Sequence, residues 1–132
     1  MKNISVLILD NNERFLATAK EYLSEQDFIR DIYITPSDTE ALQIANDEKP
    51  NLILLDVLMP NRNGIDLIPY FRENSPESRI IMLTLWDMNE YRESARNAGA
   101  DNFITKHAMT NTLLPVLKKE IEKISFQESA NF

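Results

Sequence analysis

The chain has no cysteine, so no disulfide holds it together, and a reducing compartment suits it. It has no long hydrophobic run. The first apolar stretch, Ile4 to Leu9, stops at Asp10 and is far too short for a signal h-region or a membrane span. Basic residues are scarce: 14 Lys and Arg stand against 21 Asp and Glu, for a net charge of −7. Nucleic-acid binding usually rests on a basic patch that neutralises phosphates. The one local cluster, Lys118, Lys119 and Lys123, is interrupted by Glu120 and Glu122 and reads as a solvated helix face. The single histidine, His107, cannot build a metal site or a phosphorelay alone. There is no internal repeat, low-complexity segment or linker. These absences point to a soluble, cytoplasmic protein that contacts neither membrane nor nucleic acid directly. The 132 residues suit one domain, expected over residues 1–126 with a polar tail at 127–132. Such a domain buries roughly two-thirds of its unfolded surface and needs no staple to fold.

What is present is an alternation. Five short apolar runs are separated by amphipathic stretches. Ile4–Leu9 reads as a strand buried on both faces, and residues 13–26 follow with Phe15, Leu16, Ala19 and Leu23 at helical spacing. Ile29–Ile34 is a weaker strand, broken by Arg30 and Asp31, which belongs at a sheet edge. Ser37 and Glu40 form a capping box before a helix with Ala41, Leu42, Ile44 and Ala45 inward. Leu52–Leu55, Ile80–Leu83 and Asn102–Thr105 supply three more strands. Helices are expected over Ile65–Asn74, over Asn89–Ala98 with Gly99 as the stop, and over Thr110–Ile124. Strict strand–helix alternation predicts a parallel sheet with helices on both faces, a doubly wound (βα)₅ α/β domain.

In such a sheet the carboxyl ends of the strands share one edge, where ligands bind. The first strand delivers Asp10-Asn11-Asn12 to that edge, the third Asp56, the fourth Thr84 and the fifth Lys106. Converging carboxylates repel one another and favour a bound Mg²⁺. A hydroxyl and an ammonium beside them suit a dianionic phosphoryl group. Asp56 also opens the segment Asp56-Val57-Leu58-Met59-Pro60-Asn61-Arg62-Asn63-Gly64, a Pro/Gly-marked loop directly after a buried strand.

With Leu9-Asp10-Asn11, that segment, Thr84, Gly99-Ala100-Asp101 and Lys106, the sequence resembles the receiver (CheY-like) domain of bacterial two-component response regulators over roughly residues 3–124. The resemblance implies a flavodoxin-like three-layer sandwich with strand order 2-1-3-4-5. It implies that Asp56 takes a phosphoryl group from a sensor histidine kinase or a small donor such as acetyl phosphate. Mg²⁺ would lie between Asp10, Asp56 and the Leu58 carbonyl, with Asn11 beside it. Lys106 would pair with the phosphoryl oxygens, Thr84 would close on one of them, and Phe103 would turn inward as Thr84 moves. The face made by the fourth helix, fifth strand and fifth helix would then engage a partner or a second copy. No DNA-binding or enzymatic output domain is expected within this chain. The implied activity is that of a self-phosphorylating and self-dephosphorylating signalling domain rather than a classical enzyme.

The sequence departs from the family pattern in three places. Asn11 stands where a second acidic residue is usual, which weakens metal binding, and motivates an alternative: a phosphorylation-independent pseudo-receiver that serves as a protein–protein interaction module. Leu58, Leu85 and Trp86 flank the acceptor. They either cap the core or keep attacking water from the phosphoaspartate, in which case the adduct hydrolyses slowly and Leu85→Ala or Trp86→Ala speeds its loss. His107 replaces a common proline after Lys106. A haloacid-dehalogenase-type phosphatase would need an aspartate two residues after Asp10, where this chain has Asn12. On the face of the fourth helix, fifth strand and fifth helix, Tyr91, Arg92, Arg96, Asp101, Lys118 and Lys119 read as ordinarily solvated.

Overall fold

The computed structural model describes residues 4–59, 62–85, 88–106, 113, 115–120 and 122–123. Pro60, Asn61, Trp86, His107 and the 127–132 tail lie outside the described residues. Five parallel strands form one sheet: β1 (Ile4–Leu9), β2 (Ile29–Thr35), β3 (Leu52–Asp56), β4 (Arg79–Thr84) and β5 (Asn102–Thr105). Their spatial order is β2-β1-β3-β4-β5. Between them run α1 (Glu13–Ser24), α2 (Asp38–Glu48), α3 (Ile68–Asn74) and α4 (Asn89–Ala98). A further helical segment occupies 113, 115–120 and 122–123.

The period-2 alternation of side chains divides the core in two. Val6, Ile8, Leu54, Ile81, Leu83 and Ile104 face α1 (Leu16, Ala19, Leu23) and the C-terminal segment (Leu113, Leu117). Leu7, Leu9, Ile53, Leu55, Ile80 and Met82 face α2, α3 and α4 through Ala41, Ala45, Phe71 and Ala95. The three layers follow directly, because β1 and β3 are buried on both faces and read as continuous apolar runs. The weaker β2 is indeed the edge strand beside β1, with only its two ends fully buried.

Two local expectations are corrected. The stretch expected as one helix from Ile65 begins instead as a 3₁₀ turn, Gly64–Leu67, before α3. Pro69 has no N–H to give the Ile65 carbonyl, so the Ile68 N–H takes it one residue early, and the Asn63 side chain caps the Ile65 N–H at 2.9 Å. The capping box of α2 is only half made. The Ser37 hydroxyl accepts from the Glu40 N–H at 3.2 Å, but the Ser37 N–H donates to Thr35 Oγ1 at 3.0 Å, leaving no role for the Glu40 side chain. At the other end of α4, Gly99 adopts φ 113°, the left-handed conformation that ends the helix.

Candidate functional site

The parallel register sets the strand ends side by side. Leu9 pairs with Leu55, Asp56 with Leu83, and Thr84 with Thr105. Asp10, Asp56, Thr84 and Lys106 are therefore consecutive exits along one sheet edge, and Asp10, Asp56 and Thr84 are buried. Lys106 Nζ lies 2.5 Å from Asp10 Oδ2 and 3.6 Å from Asp56 Oδ1. Asp10 Oδ1 accepts the Asn12 N–H at 2.9 Å. Its Oδ2 accepts no hydrogen bond among the described residues, and its contact with the ammonium is an ion pair rather than an aligned hydrogen bond.

The acceptor loop is folded back under Asp56. Leu58–Met59 pairs antiparallel with Arg62–Asn63, and the Gly64 N–H then donates to the Val57 carbonyl at 2.6 Å. A Cβ on residue 64 would stand 1.8 Å from the Asp56 carbonyl oxygen, so only glycine permits this closure. Val57 is anchored in turn by its N–H to the Leu83 carbonyl, 2.9 Å. These contacts hold the Asp56 carboxylate at the strand end, where it also accepts the Leu58 N–H.

Burial first, and the Asp10 charge second, push the Asp56 carboxyl up to about 6, while the Lys106 ammonium and the Leu58 N–H pull it down. Two buried carboxylates facing a single ammonium leave an excess of negative charge on hard oxygen ligands, which fits a divalent cation. Asn11, exposed where the chain leaves β1, and the backbone of Leu58 adjoin them. Among the described residues, no three His, Cys, Asp or Glu side chains are grouped so as to hold a metal ion by themselves.

The structure relocates several other residues. Leu58 and Leu85 are 41% and 50% exposed, so neither caps the hydrophobic core. Phe103 is half-buried against the α2–α3–α4 side of the core, with the Arg92 guanidinium 4.7 Å above its ring. A cavity of about 150 Å³ opens there, between Arg92, Arg96 and Asp101. Asp101 is not ordinarily solvated as expected from sequence: Arg72 and Arg79 pair with it at 2.7 and 3.2 Å. Lys118 and Lys119 are exposed, in line with a solvated face. Asn12 was expected at this edge but given no role there, and Phe15 was not expected at the site. Asn12 caps α1 and holds Asp10, and the Phe15 ring lies 4.5 Å from Lys106 Nζ. An Asn directly before the first helical residues signalled the cap. Nothing in the spacing signalled that Phe15 would meet a residue 91 positions away.

Residues 6–118 match the family model for the response regulator receiver domain. The chain is 31% identical over 115 residues to the transcriptional regulatory protein MctR of Rhizobium johnstonii, covering 87% of this chain and 54% of that protein. It thus spans about half the length of such relatives. Among solved structures, it superposes on a CheY-like receiver domain protein from Methanospirillum hungatei with TM-score 0.85 and 26% identity, covering 94% of this chain and 98% of the other. A response regulator from Burkholderia pseudomallei, solved with a phosphorylated aspartic acid, a calcium ion and citrate, matches with TM-score 0.81 and 26% identity over 98% of this chain and 75% of that one.

Proposed function

The chain belongs to the response regulator receiver domain family, and from that premise we propose that Asp56 is its phosphoryl acceptor, served by Lys106, Thr84 and a divalent cation at Asp10. The observation that carries this is the convergence of two buried carboxylates and one nearly buried ammonium at a single sheet edge. A surface ion pair needs no such burial, and a core gains little from burying two carboxylates against one ammonium.

The Asp56 carboxylate attacks the phosphorus of a kinase phosphohistidine or of acetyl phosphate. A P–O bond forms to Asp56 as the bond to the donor nitrogen or oxygen breaks. The chain supplies in-line positioning and charge neutralisation, with little acid–base work. Asp10, Asp56, the Asn11 amide and the Leu58 carbonyl would hold Mg²⁺, whose chemistry is to neutralise phosphoryl oxygens. Lys106, already 3.6 Å from Asp56 Oδ1, neutralises another. Thr84, one residue beyond the Asp56 partner Leu83, offers its hydroxyl to a third. Its movement lets Phe103 leave the Arg92 stack and turn inward, which changes the face built by α4, β5 and the C-terminal segment. That face would engage an effector or a second copy, and the sensor kinase would dock at the Asp56 edge. We place the protein in the cytoplasm. We assign this chain no direct contact with nucleic acid, in keeping with its net charge of −7.

Intact mass after incubation with acetyl phosphate and MgCl₂ tests the reading. One added phosphoryl group, lost with EDTA and absent in Asp56→Asn, is the expected result. No adduct at high Mg²⁺ and short times would favour the phosphorylation-independent binding module.

A further inference from the structure

Lys106 reaches the site from the end of β5 on a flexible four-carbon stem, and its far end must be held for the ammonium to meet incoming oxygens. Its side chain is only 10% exposed, so protein groups replace nearly all of its water. Among the described residues, those groups include Asp10 Oδ2 at 2.5 Å, Asp56 Oδ1 at 3.6 Å and the Phe15 ring, whose centroid is 4.5 Å from Nζ.

Phe15 is itself tied to the site. The Phe15 N–H donates to Asn12 Oδ1 at 3.1 Å, and the Asn12 N–H donates to Asp10 Oδ1 at 2.9 Å. Asp10, Asn12, Phe15 and Lys106 therefore close a circuit of contacts that returns to Asp10. The ring differs from the other two partners in one respect. It attracts the ammonium through its quadrupole while carrying no net charge and offering no oxygen. It can hold the cation without competing for a divalent ion. With Asp10 Oδ2 committed to a metal, the ammonium loses its nearest oxygen, and the ring is the partner that does not change.

We propose that Phe15 is a positioning residue for Lys106: its ring keeps the ammonium within reach of the oxygens that arrive at Asp56. This rests on the receiver reading above. Phe15→Leu keeps apolar bulk and removes the ring face, whereas Phe15→Tyr keeps the face. Two quantities separate positioning from packing. One is the maximal rate of phosphorylation by acetyl phosphate at saturating Mg²⁺. The other is Mg²⁺ affinity of the unphosphorylated protein by calorimetry. In Phe15→Leu the maximal rate falls about threefold to tenfold, while Mg²⁺ binds as tightly as to wild type or more tightly, because the nearby cation is less well held. Phe15→Tyr keeps the wild-type rate.

The inference is overturned if Phe15→Leu matches wild type, if Phe15→Tyr is as slow as Phe15→Leu, or if Mg²⁺ affinity falls in step with the rate, which would mark a general loosening of the site. Wild type and Lys106→Ala are run beside these variants. If wild type takes no phosphoryl group, the receiver reading fails and this inference with it. If Lys106→Ala is slow and Phe15→Leu is not, only the inference fails.

Discussion

At the scale of the residue, Asp56 is held charged at a cost. Its carboxyl is pushed from 3.8 to about 6 by burial and by Asp10. A raised folded pKa means that the folded state binds the proton more tightly than the unfolded state. The contribution of this group to stability therefore falls as pH rises from about 4 to about 6, and the penalty is complete above that window. A shift of this size corresponds to roughly 3 kcal/mol. Asp56→Asn is accordingly expected to be more stable than wild type near neutral pH, by up to about 3 kcal/mol. The gap should shrink toward zero at about pH 4. Urea unfolding at the two ends of the window checks it. A gap that does not change with pH would show that the asparagine acts through packing rather than charge. Mg²⁺ should narrow the gap at neutral pH, because an ion bound at the wild-type carboxylates offsets the same penalty.

At the scale of the element, the end of the sheet remote from Asp56 is tied by charge. Arg72 reaches out of α3 to the Ser78 and Gly99 carbonyls, 2.5 and 2.6 Å, and to Asp101 Oδ2, 2.7 Å. Asp101 also accepts the Ile80 N–H at 2.8 Å and pairs with Arg79. Arg79 passes to Glu120, fully buried in the C-terminal helical segment, at 2.9 Å. Asp101 thus joins α3 to β4, Arg79 carries the link on to the C-terminal segment through Glu120, and removing Asp101 leaves two guanidinium groups and a backbone N–H short of an acceptor. Asp101→Ala should cost about 2–3 kcal/mol, measured by urea unfolding. A loss under about 1 kcal/mol would show that the network is no stronger than surface pairs. α4 ends at Gly99, inside this network. Phe103, beneath Arg92, stands two residues beyond Asp101 at the start of β5, whereas Thr84 ends β4 at the opposite edge of the sheet.

At the scale of the whole molecule, what was legible in the sequence was whatever rests on period and local chemistry. The five sheet strands fall within one residue of their expected bounds because their apolar runs are buried on both faces. The strand-end residues converge because a parallel register leaves them no other edge. The features that escaped depend on partners far along the chain or on competing local bonds. Asp101 finds Arg72 across the fold, Phe15 finds Lys106, and Thr35 takes the N–H that a capping box would have given to Glu40. Leu58 and Leu85 read as core by type, yet stand exposed at the loop edge that the sheet cannot cover. The central claim is that this arrangement delivers one phosphoryl group to one carboxylate. Borohydride reduces an acyl phosphate to the alcohol, so trapping the acetyl phosphate-treated protein and sequencing its peptides by mass spectrometry reads the acceptor directly. The account predicts homoserine at position 56, with Asp10 unchanged. Reduction at Asp10 or at any other carboxylate, or at none, would contradict it.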